Sequence, residues 1–455
     1  MTPDMPDALH LKAQDIDTVE KRGKYTVGVV GCGQKGISYS LAFAEAGFKV
    51  VCTDADQSVV RRLSRGRISL PNRVMEAKLK SLTRTEMLNF TSDTKNAVAQ
   101  SDIVLLTIAA KVDAKTAVDY VEIEAGCKKV GTALGKGALV IYGGVASLDL
   151  MEGVVKETVE NASGLKAGKD FGLAYNPALL FEEEHSTEFS SAKELVVAAN
   201  DETSLSSAAT VLATLAKKSV RQIRDFKTAE LAALFAVARR DVNVALSNEL
   251  AILCEKAGKD YFETLEIAGL FHEIDYAPTV TEEAWRDELY LLLDMAENLN
   301  AKVRLTTIAR QINENMARHA VSLVQEALRS CGKTLRRARV TLLGTTRPTI
   351  SGDDVARVLE SKGAKINCYD PRLSQKDLAD IKPAPKRSLS EAAEGSDCIV
   401  ILTSDSQFKK LNFKNLKAIM RTPATIVDLA RVVEPAEVEK EGFIYRGLGK
   451  EFEKK

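Results

Sequence analysis

The chain of 455 residues is long enough for two or three domains, and its apolar content of 45% is that of an ordinary globular protein. Its 63 basic and 63 acidic residues cancel, so no net field draws it to nucleic acid or to an anionic membrane. The seven scattered cysteines form no CxxC pair and the four histidines are dispersed, which favours a reducing, cytoplasmic compartment and suggests no zinc site.

Residues 1–23 are polar and mixed in charge, without the hydrophobic core of a signal peptide. We expect them to form a disordered leader. No apolar run in the sequence approaches the roughly 18 residues of a membrane helix, so no membrane partner is predicted.

A glycine-rich turn follows the first predicted strand, Tyr25–Gly31. The turn, Gly31-Cys-Gly-Gln-Lys-Gly36, leads into a small-residue helix over Ile37–Ala46 and then into the strand Phe48–Asp54, which ends in an acid. This is the GxGxxG pattern in the context of strand, turn, helix, strand and acid that a dinucleotide-binding domain requires. The alternative is a glycine turn of an α/β fold that binds nothing, since the short pattern alone is weak.

Each residue type in this pattern has a physical reason. Gly31 permits the tight turn, Gly33 lets the backbone approach a pyrophosphate, and Gly36 lets the helix pack closely on the sheet. Free N–H groups at the helix N-terminus can bind the phosphates. Asp54 can accept a hydrogen bond from a ribose 2′-hydroxyl and would repel a 2′-phosphate, so NAD is favoured over NADP. The predicted cofactor-binding residues are Gly31, Gly33, Gln34, Lys35, Gly36 and Asp54.

The alternation of strands and helices continues beyond this motif. Strands are predicted at Asp102–Ile108, Ala138–Tyr142, Phe171–Pro177 and Glu194–Ala199. The sequence therefore predicts an NAD-binding domain of the doubly wound, parallel-sheet type over residues 24–220.

One long helix comes next. Between Thr228 and Ala257 there is no Pro and no Gly, apolar residues recur at helical spacing, and Gly258 stands just past the end. Thr228 is the predicted N-cap. Thirty residues at 1.5 Å each give roughly 45 Å, so we expect this helix to join two domains or to pack against a copy of itself.

Two further helices complete a helical middle region. A capping box from Thr279 to Glu282 predicts one, and apolar spacing over Val303–Ser330 predicts the other. Residues 221–332 are therefore interpreted as a central helical domain for dimerisation.

The strand and helix rhythm returns over residues 333–455. Asp353–Lys362 and Leu389–Gly395 are predicted helices. The predicted strands are Ala338–Gly344, Ile366–Tyr369, Cys398–Thr403, Thr425–Leu429 and Phe443–Tyr445. The predicted fold is α/β, with two Rossmann-like parallel-sheet domains joined by the long helix and the helical middle domain.

Ordered landmarks along the chain resemble the UDP-glucose/GDP-mannose dehydrogenase family. Besides the glycine turn with its acid, they are Asp170-Phe-Gly-Leu-Ala-Tyr-Asn-Pro177, Ala229-Glu230, Asn248-Glu-Leu-Ala-Ile-Leu-Cys-Glu-Lys-Ala-Gly258, Ala309-Arg-Gln-Ile-Asn313, Tyr369-Asp-Pro371 and Tyr445-Arg-Gly-Leu-Gly449. The resemblance covers about Tyr25 to Lys450. It implies NAD as cofactor, a UDP-binding-type C-terminal domain and oxidation of a nucleotide-sugar C6 hydroxyl to a carboxylate with two NAD.

The resemblance fails where that chemistry should lie. The family's cysteine holds the aldehyde covalently and its lysine supports the oxyanion. Counting back from Asn313 puts Ala284 at the cysteine position, and the lysine position after Ala229-Glu230 falls on Ala233. The family's asparagine position falls on Val237, its Ser-Thr pair on Gly143-Gly144, and its Pro-Glu-Arg motif on Pro177-Ala-Leu. The loop after Gly344 lacks the family's Arg-Glu-Ser-Pro element.

We therefore predict a divergent member that cannot perform the Cys-dependent four-electron oxidation, and no catalytic residue is assigned. In one hypothesis it remains an NAD-dependent oxidoreductase that transfers a single hydride on a sugar nucleotide. In the other it is a non-catalytic NAD- or nucleotide-binding partner, a homodimer through the long helix or a mixed dimer with an active relative.

Other candidate groups favour structural interpretations. Cys254 is expected to pack within the long helix and Cys32 to fill space in the glycine turn. The acids Glu282, Glu283, Asp287 and Glu288 are interpreted as a solvated helix face, and Arg239-Arg240-Asp241 as surface or interface ion pairs. A hydroxyacid or 6-phosphogluconate dehydrogenase would need a lysine or histidine on the central helices, and none is convincingly placed.

Overall fold

A computed structural model describes residues 7–68, 73–113, 115–177, 194–269, 277–280, 286–344, 351–371 and 385–450. The chain divides into two compact units. The first comprises Met1–Val237 with Asp287–Ala301, and the second Ala238–Arg286 with Lys302–Lys455. Residues 221–332, which the sequence grouped together, are thus shared between the two units.

The first unit is built on a twisted, mainly parallel sheet. Its strands are β1 Thr26–Val30, β2 Lys49–Thr53, β3 Leu88–Thr91, β4 Ile103–Leu106, β7 Leu139–Gly143, β8 Gly172–Asn176, β9 Leu195–Ala198 and β10 Val220–Ile223, with a small hairpin of β5 Lys111–Val112 and β6 Val118–Asp119. The strand order is β10-β9-β8-β7-β4-β1-β2-β3, and only the β8–β9 pair is antiparallel. β1 and β4 are parallel neighbours, and the order in which the chain adds strands to the sheet reverses between them. Doubly wound sheets bind ligands at such a switch point.

The helices of this region alternate with the strands. They are α1 Val19–Arg22, α2 Gln34–Glu45, α3 Gln57–Ser64, α4 Arg73–Arg84, α5 Thr94–Ala99, α6 Val121–Gly131, α7 Glu157–Ser163 and α8 Glu202–Ala213, with a π-helical turn at Leu150–Lys156. The central strands are buried on both faces, as the sequence Val27-Gly-Val-Val30 requires. β3 and β10 escaped prediction because both are short and partly exposed at the sheet edges.

Four helices follow in the middle of the chain: α9 Phe226–Ala257, α10 Tyr261–Gly269, α11 Arg286–Asn298 and α12 Arg304–Ser330. The long helix is confirmed, but Thr228 is not its N-cap. Asp225 accepts hydrogen bonds from the backbone N–H groups of Lys227 and Thr228, so the cap lies three residues earlier and the helix begins at Phe226. No helix in the described ranges is long and apolar enough to cross a membrane.

The second unit contains a five-stranded parallel sheet. Its strands are β11 Arg339–Leu343, β12 Lys365–Tyr369, β13 Cys398–Ile401, β14 Thr425–Asp428 and β15 Ile444–Gly447, in the order β12-β11-β13-β14-β15. Its helices are α13 Ser351–Ser361, α14 Leu389–Ala393, α15 Phe413–Ile419 and α16 Pro435–Lys440. All five predicted strands are present, and the predicted α/β fold with two parallel sheets is confirmed.

The expectation of a disordered leader is wrong for residues 7–22. Leu11 and Ile16 belong to the core of the first unit, and Ala8 is fully buried. Leu9 ties the segment down, because its N–H donates to Gly137 O and its carbonyl accepts from Ser207 Oγ. The segment is polar on average, but its few apolar side chains are enough to anchor it.

Candidate functional site

The glycine turn joins β1 to α2 in the first unit. Gly31 has φ of +106°, a left-handed conformation that favours glycine. A Cβ added to Gly36 would lie 1.8 Å from Gly31 O, so only glycine permits this approach of helix and turn. A Cβ on Gly33 would meet nothing within 4 Å, so the backbone there faces open space. The turn is therefore closed on its sheet side and open on the other.

Asp54 is held against this turn. It follows β2, and its carboxylate accepts hydrogen bonds from Cys32 N at 2.9 Å and from Asp56 N at 2.9 Å. Thr107, just past β4, donates to Gly31 O at 2.8 Å and braces the turn from the other side. The predicted acid and the predicted glycine turn thus lie together, as a ribose next to a pyrophosphate would need.

Two thiols fill the space beneath the turn. Cys32 Sγ lies 2.7 Å from Cys52 Sγ on β2, and both residues are buried. The hydrogen bond to Cys52, followed by burial, raises the pKa of Cys32 far above its usual value. A thiol held in its protonated form is a poor nucleophile, so Cys32 acts as a filler, as its position suggested.

Lys35 lies in the first turn of α2 and forms an ion pair with Glu288 of α11. Only 18% of the Lys35 side chain and 11% of the Glu288 side chain are exposed. The interpretation of Glu288 as part of a solvated face is therefore wrong, because its side chain is largely buried and paired with Lys35 within the first unit. Gln34, the first residue of α2, is exposed beside it.

The positions expected to carry the chemistry are apolar or packed shut. Ala233 and Val237 are buried on α9. At Gly143, the end of β7, an added Cβ would lie 2.8 Å from the Tyr39 ring, so that ring occupies the space of a side chain. Ala284 lies outside the described residues. So do the residues directly after Pro177 and the part of the predicted Thr279–Glu282 capping box that follows Val280.

Tyrosine side chains occupy the carboxyl edge of the sheet nearby. Tyr142 donates to Ile108 O at 3.0 Å, Tyr175 accepts from Ala146 N at 3.2 Å, and Tyr120 bonds Ser147 Oγ at 2.7 Å. Burial raises the pKa of each hydroxyl. Tyr142 and Tyr175 lie at the ends of predicted strands, which is the one sequence signal that could have indicated them, whereas Tyr120 lies at the end of no predicted strand.

Glu230 is a fully buried carboxyl group at the start of α9. Its two oxygens accept from Asp149 N at 2.8 Å and Met151 N at 2.9 Å, so it caps the π-helical turn. Burial raises its pKa to about 7, against the opposing effect of these hydrogen bonds. Glu230 of the family landmark Ala229-Glu230 thus stabilises the start of the π-helical turn in this chain.

The second unit contains a buried polar network on α9 and α12. Asp241 binds Arg310 Nη1 at 2.9 Å and Asn313 Nδ2 at 3.0 Å, and Asn248 donates to Asn313 at 2.9 Å. The sequence predicted surface or interface ion pairs here. Asp241 does form an ion pair, with Arg310, but both side chains are buried within the second unit. The network holds these helices and offers no exposed catalytic group.

A cavity of about 590 Å³ lies in the second unit beside α10. Arg431 sits over the Phe262 ring at 3.9 Å from its centroid, and Lys450 pairs with Asp260 at 2.5 Å. Both cations of this cavity are thus already paired. No group of three or more potential metal-ligating side chains was found in the part of the chain that the structure describes.

A doubly wound sheet with a braced glycine turn, followed by a long helix and a second parallel sheet, defines an NAD-binding protein of the two-domain dehydrogenase class. Family models agree. The NAD-binding, central and UDP-binding domains of the UDP-glucose/GDP-mannose dehydrogenase family match residues 25–216, 227–315 and 351–435. The chain belongs to this family, and NAD is confirmed as its cofactor.

Whole-chain relatives support the same conclusion. UDP-glucose 6-dehydrogenase of Rhizobium meliloti is 26% identical over 450 residues, covering 93% of this chain and 99% of the relative. UDP-N-acetyl-D-mannosamine dehydrogenase of Pyrococcus horikoshii is 27% identical over 440 residues, with the same coverage. The solved structure of a UDP-D-ManNAc dehydrogenase from Pyrococcus horikoshii has a TM-score of 0.79 at 24% identity, covering 93% of this chain and 99% of that one, and shows the common fold.

Proposed function

We propose that this chain binds NAD and a UDP-type nucleotide sugar but does not perform a cysteine-dependent four-electron oxidation. The cofactor is held by Gly31, Gly33, Gln34, Lys35, Gly36 and Asp54. The observation that carries the proposal is the contrast between this turn and α9, where Ala233 and Val237 are buried apolar residues at the family's lysine and asparagine positions.

A four-electron oxidation needs a nucleophile that holds the aldehyde between two oxidations. The sequence has alanine at position 284, and a methyl group cannot form a covalent bond to a carbonyl carbon. Cys254 does not replace it, because it lies on α9 within a landmark that packs the central helices. Bound NAD supplies a hydride acceptor, and the residues of this chain bind and orient it. Any activity that remains is a single hydride transfer to give the aldehyde or ketone level.

A non-catalytic partner is the second candidate, and one surface favours it. Leu246, Leu250 and Leu253 lie on one face of α9 and are 54%, 40% and 60% exposed. A row of large apolar side chains on a long helix is typical of an interface between chains. We propose that this face pairs with a second copy or with an active relative, and that the protein is cytoplasmic, consistent with seven free cysteines.

The decisive experiment follows the absorbance of reduced nicotinamide while the purified chain is incubated with NAD and a panel of UDP- and GDP-sugars. We expect no more than one NADH per sugar. Two NADH per sugar would overturn the proposal. If no NADH forms, NADH binding that is lost in Asp54→Ala shows that the cofactor site is intact, and the non-catalytic candidate stands.

A further inference from the structure

The ion pair between Lys35 and Glu288 brings a carboxylate to the turn that binds the cofactor. The two residues are 253 positions apart in sequence but lie in the same compact unit. Lys35 belongs to the first turn of α2, directly after the open backbone at Gly33. Glu288 belongs to α11, whose Leu289 and Leu292 are buried.

Two anions can compete for Lys35 at the N-terminus of α2. A helix N-terminus attracts anions and is an unfavourable place for a lysine, unless an anion lies beside it. Glu288 provides that anion here. The diphosphate of a dinucleotide bound at the same N-terminus would provide it equally well, because it carries two negative charges. Lys35 therefore faces two possible anionic partners, one within the chain and one in the cofactor.

We propose that Lys35 pairs with Glu288 when no dinucleotide is bound and with the diphosphate of the dinucleotide when one is bound. Dinucleotide binding thereby breaks the ion pair and releases α11 from α2. The inference rests on the proposed function, since it concerns the regulation of the same cofactor site. Glu288 is a positioning residue that lowers cofactor affinity. The state of α11, the helix that directly follows the family's cysteine position at Ala284, is thereby coupled to cofactor occupancy.

A purely structural ion pair would behave differently. It would add to the stability of the first unit, and its loss would leave cofactor binding unchanged or weaker. The exchange of partners proposed above predicts the opposite effect at Glu288. Removing its carboxylate frees Lys35 for the cofactor, so the affinity for the cofactor rises. Glu288→Gln keeps the size of the side chain and its hydrogen-bonding capacity, so the fold is expected to survive.

The test is a titration of the full chain with NADH, in which binding is measured by calorimetry and by NADH fluorescence. Glu288→Gln is expected to bind NADH about tenfold more tightly, and Lys35→Gln about tenfold more weakly. The exchanged variant Lys35→Glu with Glu288→Lys keeps an ion pair but moves the cation to α11, so it should bind as weakly as Lys35→Gln while keeping the thermal stability of the parent. Glu45→Gln is the matched control, because Glu45 ends the same α2 and pairs with Lys78 at 3.0 Å.

A second readout follows α11 itself. The single tryptophan of the chain, Trp285, directly precedes α11 in sequence. NADH should change its accessibility to acrylamide quenching in the parent, and Glu288→Gln should show the changed value without NADH. If Glu288→Gln binds NADH no more tightly than the parent, the inference is overturned while the cofactor site stands. If neither protein binds NADH, the proposed function fails together with it.

Discussion

The glycine turn and the N-terminal part of α9, as far as Val237, lie in the same unit but differ in character. At the turn, a left-handed Gly31, a Gly36 that admits no Cβ and an Asp54 bonded to the loop preserve a demanding backbone geometry. On α9, the buried residues Ala233 and Val237 are apolar, whereas the family resemblance implies polar groups at these two positions. This contrast is what supports the proposal that the chain binds NAD without the covalent, cysteine-dependent chemistry.

The largest expected effect is at the turn. Gly36→Ala would place a methyl group 1.8 Å from Gly31 O, so the turn must open. We expect a loss of about 3 kcal/mol in the free energy of unfolding, at the upper end of overpacking effects, together with loss of NADH binding. Gly33→Ala is the control, because its Cβ enters open space. It should unfold like the parent but bind NADH more weakly, and equal stability losses in both variants would contradict this account.

Restoring the lysine on α9 tests the other region. Ala233 is 1% exposed, so Ala233→Lys buries a cation without a built partner. We expect about 3 kcal/mol of destabilisation in urea unfolding and no gain of four-electron activity, even with Ala284→Cys added. Ala232→Lys, at the neighbouring exposed position, should change stability by no more than about 0.5 kcal/mol. If the double variant produced two NADH per sugar, the rest of the catalytic site would be intact and this account would be contradicted.

Glu230 gives the first unit a pH dependence. Its pKa rises from 4.5 to about 7 on folding, because burial disfavours the carboxylate. The folded state therefore binds more protons than the unfolded state between pH 4.5 and 7, and stability should fall as pH rises through this window and level off above it. The full span corresponds to roughly 3 kcal/mol. Glu230→Ala should be less stable overall, and urea melts at several pH values should show a flatter profile in this window.

The smallest effect concerns the exposed row on α9. Leu250→Asp should leave the unfolding free energy of each chain nearly unchanged, because the side chain is 40% exposed. It should weaken self-association by about tenfold or more, measured by analytical ultracentrifugation, because the carboxylate would be buried in the interface. Glu249→Asp, next to it on α9, is the conservative control. A parent that is monomeric at all concentrations would contradict the proposed pairing.

Much of this arrangement could be predicted from the sequence, for definable reasons. The turn from Gly31 to Gly36 and the buried strands have strong local patterns, so their elements and the long helix were predicted within a few residues. Edge strands such as Val220–Ile223 have weak patterns and were missed. The Lys35–Glu288 pair and the tyrosines at the sheet edge join residues far apart in sequence, and no local pattern can indicate such contacts.

The buried N-terminal segment has a consequence for synthesis on the ribosome. Leu9 leaves the ribosome early, yet its hydrogen-bond partner Ser207 is 198 residues away, and Lys35 must await Glu288, 253 residues later. The first unit cannot close until more than half of the chain has emerged. Its core, formed by residues between Ala8 and Ala229, cannot be completed until about half of the chain has emerged, and long-range closure of this kind folds slowly. A pause in translation once Ala301, the last residue of this unit, has left the ribosome would give the unit time to assemble before the second sheet appears. Chaperone dependence of the nascent chain should fall at that length.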